Sequence, residues 1–140
     1  MNKIVDCVVC NGKAQLTFEN VVRTFRKEEF NIYEFFYCCE VCKEEFTTTE
    51  VDEINISQVY NQYREKHNIP FPEEIKKLRK EYNISAKKMS EVLGFGVNQY
   101  RNYESGEIPN LSNANLIRMI NDIDIFTRLI NNKKDIFSPD

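Results

Sequence analysis

The chain has no apolar run longer than a few residues, far short of the roughly 20 that a helix needs to cross a bilayer. Its polar opening, MNKIVDCVVCNGK, lacks the apolar core of a signal peptide, so a soluble, cytoplasmic protein with no membrane partner is expected. Histidine is almost missing, His67 being the single copy. There is no phosphate-cradling loop, no nucleophile paired with a base and no ligand-poor metal site, and an enzyme is therefore not expected. Internal repeats and low-complexity tracts are absent too.

What is present suffices for real cores: 41% hydrophobic residues, 12% of all residues aromatic, in a chain of 140 that can form one ordinary domain or two small ones. The net charge of −3 argues at first sight against a partner as acidic as DNA, but it is unevenly spread. Residues 1–67 hold 8 Lys/Arg against 12 Asp/Glu, whereas residues 68–140 hold 11 against 10. Lys76, Lys77, Arg79, Lys80, Lys87 and Lys88 place six cations within thirteen residues, opposed there only by Glu81. Taken alone such a run is an ordinary solvated helix face; beside a polar reading face it becomes a patch for phosphates. Between the halves, Asn68-Ile69-Pro70-Phe71-Pro72 carries two prolines in three residues, which disfavours helix before each and stiffens the chain. The expected division is a metal-binding domain over 1–67, a linker over 68–72, a helical domain over 73–132 and a tail over 133–140.

All five cysteines precede residue 43, and the odd count with two C-x-x-C pairs suits a reducing compartment better than a disulfide framework. Cys7-Val8-Val9-Cys10 and Cys39-Glu40-Val41-Cys42 are separated by 28 residues and can offer four thiolates to one tetrahedral Zn²⁺. Cys38 also allows a Cys38-x-x-x-Cys42 pairing, but only Cys39 repeats the spacing of the first knuckle, and Cys38 is read as a strand-end bystander. Four sulfur ligands close the metal's shell and His67 lies 25 residues past Cys42, so the role expected of the zinc is structural. Between the knuckles, Ala14 to Phe25 and Phe30 to Tyr37 are rich in Val, Phe, Thr and Tyr and read as a β-hairpin turning over Arg26 to Glu29. A helix with an acidic first turn follows and runs to about Lys66.

From Pro72 the apolar period becomes helical. Ile75, Leu78 and Tyr82 mark one stripe; Ser85 caps a second helix that Gly94 stops, and a third follows after a tight turn. Two short helices joined in this way form a helix-turn-helix, whose second helix enters the DNA major groove. On that helix Val97, Tyr100 and Tyr103 or Glu104 are expected inward, and Asn98, Arg101 and Asn102 outward, flanked by Gln99. Asparagine can pair bidentately with adenine and arginine with guanine, so these four are the candidate base readers. Gly96, without a side chain, allows close approach to the sugar-phosphate backbone, where Lys87 and Lys88 would neutralise charge. Ala114, Leu116, Ile117 and Ile120 outline a fourth helix and Ile123, Ile125, Phe126, Leu129 and Ile130 a fifth, apolar enough to share in a dimer interface. A dimer presents two reading helices about 34 Å apart and calls for a palindromic operator.

The fold class expected is thus α+β: a small zinc-knuckle hairpin domain with one helix, then an all-α five-helix domain. In KLRKEYNISAKKMSEVLGFGVNQYRNYESG the second half resembles XRE-type (Cro-like) repressors. With both knuckles, the hairpin and the proline linker, nearly the whole chain resembles the MqsA-type zinc-binding antitoxins, most specifically in GVN…YE-G. The resemblance implies an antitoxin that represses its own operator as a dimer through the C-terminal domain and binds an RNA-cleaving toxin through the zinc domain. It also implies that Asn98 reads DNA. An arginine that reads DNA in the family is replaced here by Asn102, with Arg101 one position earlier, and the glutamine common at the start of the family's second helix is Ala86. The competing class is a regulator without a toxin, its zinc domain a metal or redox sensor with Cys38 as the sensing thiol, or another interaction module.

Overall fold

In the computed structural model the described residues are 1–133, and residues 134–140, nearly all of the expected tail, lie outside them. The cysteine-rich half forms one antiparallel sheet of four strands in chain order, β1 (Ile4–Asp6), β2 (Lys13–Phe25), β3 (Glu28–Cys39) and β4 (Glu45–Phe46). The expected hairpin is its centre, but the turn is tighter than its polarity suggested. Only Arg26 and Lys27 turn, at φ 49° and 66°, while Glu28 and Glu29 already pair with Phe25 and Thr24. Two successive left-handed residues give a turn whose twist matches that of the flanking strands. β1 and β4, of three and two residues, extend the hairpin on either side and are too short to leave an alternating signal in the sequence.

The helix α1 (Thr49–His67) follows, with Glu50 and Asp52 in its first turn as the helix dipole favours. One of its faces is spent on the edge of β3 that β4 leaves free. Asn55 accepts from the Phe35 N–H (2.8 Å) and donates to the Phe35 carbonyl (2.9 Å), and Gln58 repeats this at Tyr33 (3.0 and 2.7 Å). Gln62 donates to the Asn31 carbonyl at 2.8 Å. Helical spacing thus matches three amides to alternate residues of a strand, satisfying backbone groups that would otherwise template foreign strand pairing. Below them Ala14, Tyr37, Cys39, Cys7 and Val51 form a small core.

The chain separates into two compact units, Met1–Gln62 and Tyr63–Asp140, so the division falls inside α1, a few residues ahead of the proline segment. The second unit contains α2 (Pro72–Glu81), α3 (Ala86–Leu93), α4 (Gln99–Glu104), α5 (Leu111–Met119) and α6 (Ile123–Asn132). Its core gathers Ile75, Leu78, Met89, Val92, Tyr100, Tyr103, Ile117, Ile120 and Phe126. The Ser85 hydroxyl accepts the Lys88 N–H at 3.1 Å to start α3, and Gly94 at φ 76° ends it. Tyr82 lies flat on Phe126, ring centroids 3.8 Å apart. In α6, Ile125, Leu129 and Ile130 lean on the core and Ile123 points outward. The architecture is α+β, and among the described residues no helix is long and apolar enough to cross a membrane.

Candidate metal centre and nucleic-acid interface

The two knuckles are built alike. In the first, the Cys7 N–H donates to the Gly12 carbonyl (2.7 Å) and the Asn11 N–H to the Cys7 carbonyl (3.1 Å). In the second, the Cys39 N–H donates to the Glu44 carbonyl (2.9 Å) and the Lys43 N–H to the Cys39 carbonyl (3.1 Å). The residue after each second cysteine, Asn11 or Lys43, is left-handed at φ 63° and 66°. Backbone N–H groups point at the sulfurs: Val9 at Cys7, Gly12 at Cys10 and Val41 at Cys39, each 3.4 Å away. Such amides stabilise thiolates before any metal arrives.

The sulfurs of Cys7, Cys10, Cys39 and Cys42 all lie within 4.8 Å of one another, with Cys7 to Cys42 at 3.7 Å and Cys10 to Cys39 at 3.5 Å. A tetrahedral ion with metal–sulfur bonds of about 2.3 Å needs sulfurs about 3.8 Å apart, so this set could hold a metal ion. Its electrostatics fit as well. The Cys39 thiol is held down to about 6 by the N–H of Cys42 and, less strongly, of Val41, against desolvation. Cys42 is pushed up to about 12: the Glu44 amide draws it down, but burial and the sulfurs of Cys10, Cys7 and Cys39 outweigh that. Four thiols this close cannot all ionise without a cation among them, and a divalent ion removes the conflict. Cys38 stands outside the set. It faces Gln15 and Glu45 across the sheet, and because strand side chains alternate it lies on the face opposite Cys39. Gly12 has a role that sequence spacing did not reveal, since a Cβ there would sit 2.8 Å from Val41 Cγ2 and 3.2 Å from the Cys10 sulfur.

In the helical unit, α3, the turn from Gly94 to Asn98 and α4 form the expected helix-turn-helix pair. The inner face of α4 is clamped. Tyr100, fully buried, donates its hydroxyl to the Ile75 carbonyl at 2.6 Å, and its N–H goes to the buried Ser90 hydroxyl at 3.0 Å. The Tyr103 hydroxyl accepts from the Asn113 side chain at 2.8 Å. Glu104 takes Arg79 in a two-pronged ion pair, Nε to Oε2 at 3.0 Å and Nη2 to Oε1 at 2.9 Å. Glu104 and Arg79 are only 8% and 19% exposed, so Arg79 leaves the basic run and belongs to the interior. Desolvation keeps the Tyr100 phenol far above its ordinary range, and the Glu104 carboxylate adds to that.

The outer face carries Asn98, Arg101 and Asn102, all exposed. Asn98 occupies the N-cap position, yet its side chain makes no capping hydrogen bond. Gln99 is half-buried and donates to Glu107 at 3.0 Å, so its amide is already engaged. Lys87 is exposed, and Lys88 is half-buried and paired with Glu91 at 3.4 Å. Two expectations need correction. The helix begins at Gln99, so Val97 precedes it rather than lying on it, because the Gln99 N–H closes a turn onto the Gly96 carbonyl at 3.0 Å. That turn swings Val97 outward to 56% exposure, where the helical period extrapolated from Tyr100 had placed it inside. Gly96 is not demanded by the fold: its φ lies outside the left-handed region, and a Cβ there would meet nothing within 4 Å.

A family model described as the antitoxin component of bacterial toxin-antitoxin system, MqsA, matches residues 5–132. The chain is also 31% identical over 120 residues to Antitoxin MqsA of Escherichia coli (strain K12), a match that covers 81% of this chain and 90% of that one.

Proposed function

The chain belongs to the MqsA antitoxin family, and on that premise we propose that it is a cytoplasmic antitoxin that represses its own operator and neutralises a toxin. In this reading the zinc-bearing domain, residues 1–67, docks on an RNA-cleaving toxin. Residues 73–132 read double-stranded DNA as a homodimer joined through this C-terminal domain. The observation that carries the DNA half is the two-sided seating of α4: its inner side chains are engaged by Ile75, Asn113 and Arg79 and the Tyr100 N–H by Ser90, while Asn98, Arg101 and Asn102 face solvent together. A reading helix must be held rigidly from behind to present base-pairing groups in one register. Asn98 and Arg101 are the principal readers, with Asn102 beside them; Gln99, one N–H already given to Glu107, keeps its carbonyl and second N–H for a lesser part. Lys87 and Lys88 meet phosphates.

Zn²⁺ suits the four sulfurs, which would hold it in a closed tetrahedral shell that ties the two turns together; an ion so enclosed supplies folding energy rather than chemistry. The acidic excess of the first 67 residues, deepened by four thiolates around one dication, complements the cations that any RNA-binding enzyme must carry.

Binding measured against salt tests the assignment. Lys87→Ala should lower the slope of log affinity against log salt by about one on any sequence, whereas Asn98→Ala should relax preference at one base position, at about 1–3 kcal/mol per reader lost. Unchanged preference in the Asn98 variant would remove it from the readers. The two glycines of the turn give a second comparison. Gly94→Ala should destabilise the helical unit by about 1 kcal/mol through its left-handed φ. Gly96→Ala should leave melting unchanged yet weaken DNA binding, because only a ligand needs the space. Equal DNA affinity with alanine at 96 would show that no duplex comes close there.

A further inference from the structure

We infer that Val97 is a further specificity determinant, which reads the 5-methyl group of one thymine in each operator half-site. The inference rests on the DNA-reading assignment above and extends it to a contact without hydrogen bonds. Val97 is 56% exposed in the turn that leads into α4, immediately before Asn98. Its exposure is enforced rather than incidental, since the Gln99 to Gly96 hydrogen bond turns it away from the core that Tyr100 enters one residue after Gln99. The ground beside it is bare: Gly96 has no side chain, and a Cβ built there finds no neighbour. An apolar branched side chain therefore projects from a small clearing at the start of the reading helix, amid exposed amide and cationic groups.

The first residues of such a helix are the ones that reach base edges, and the major groove offers a single apolar group, the thymine methyl. Asn98 is suited to adenine, and a neighbouring position offers that methyl to Val97. The contact separates thymine from cytosine, which shares the ring position but has only hydrogen there.

Operator duplexes selected by the wild-type chain from a random pool supply the probe. Each thymine of a half-site is replaced in turn by deoxyuridine, which removes the methyl and leaves every hydrogen-bonding group in place. One position per half-site should lose about fourfold in affinity, the worth of one buried methyl. Val97→Ala should lose a similar factor on the thymine duplex and show no further loss with uracil, whereas Val97→Thr, which keeps a methyl, should retain part of the sensitivity. If no position responds to uracil, or if the response persists in Val97→Ala, the inference is overturned while DNA reading stands. If the pool yields no preferred duplex at all, DNA reading itself falls and this contact with it. Melting of the helical unit, expected to be unchanged in both variants, separates a lost contact from a damaged fold.

Discussion

Replacing Cys10 by serine should unfold the sheet unit and leave the helical unit melting as a cooperative whole. The sheet unit buries few side chains: among the described residues eight hydrophobic ones, of which two, Cys7 and Cys39, are themselves cysteines of the four-sulfur set. Burial of that size cannot offset the conformational entropy of some 60 residues. A closed zinc shell contributes on the order of 10 kcal/mol in small metal-dependent domains, comparable to the whole stability of an ordinary one. One missing thiolate weakens both knuckles at once, because Cys10 approaches Cys39 of the other knuckle at 3.5 Å. A strong chelator applied to the wild-type chain should do the same, and far-ultraviolet circular dichroism should show strand signal lost at low temperature with a helical transition preserved. One concerted collapse of both units would show that they are not independent. Cys38→Ser should leave the first transition nearly in place, since Cys38 lies on the other face of the sheet.

The second large effect is expected at the Arg79–Glu104 pair. Glu104→Ala leaves a guanidinium that is only 19% exposed without its carboxylate, retaining the Ile84 carbonyl at 3.2 Å. Breaking a mostly buried pair from one side costs about 3 kcal/mol, which in a unit of this size lowers Tm by on the order of 15 °C. Replacing both partners by methionine should recover much of the loss, because the charge then no longer needs a partner. The pair ties α2 to the last residue of α4, so DNA affinity in Glu104→Ala should fall even well below its Tm. A loss under about 0.5 kcal/mol would place the pair among ordinary surface ion pairs and leave the tyrosines alone to seat α4.

Local features were legible before any fold was known. The C-x-x-C spacing selected Cys7, Cys10, Cys39 and Cys42, and the repeat of that spacing set Cys38 aside. Ser85 and Gly94 bracketed α3, since a cap and a left-handed stop act within one helical turn of the residues they serve. Period alone placed Tyr100 inward and left the next position to Tyr103 or Glu104; the fold turns both of these in. The misreadings share a different cause. The turn at Arg26 and Lys27 looked longer because its two residues are not those that usually favour positive φ. β1 and β4 are shorter than any alternating window. Val97 was extrapolated from a helix that had not yet begun.

The residues alone determined the α+β class, the membership of the four-cysteine cluster and the polar face of α4, because spacing, capping and period act over a few neighbours. Tertiary structure decided which of those groups remain free. Arg79 was withdrawn from the basic run by a carboxylate 25 positions away, Asn55 and Gln58 were committed to a strand edge 20 and 25 positions back, and Val97 was turned out by the start of a helix. A side chain's partner across such distances depends on where the whole backbone goes, and no local pattern carries that.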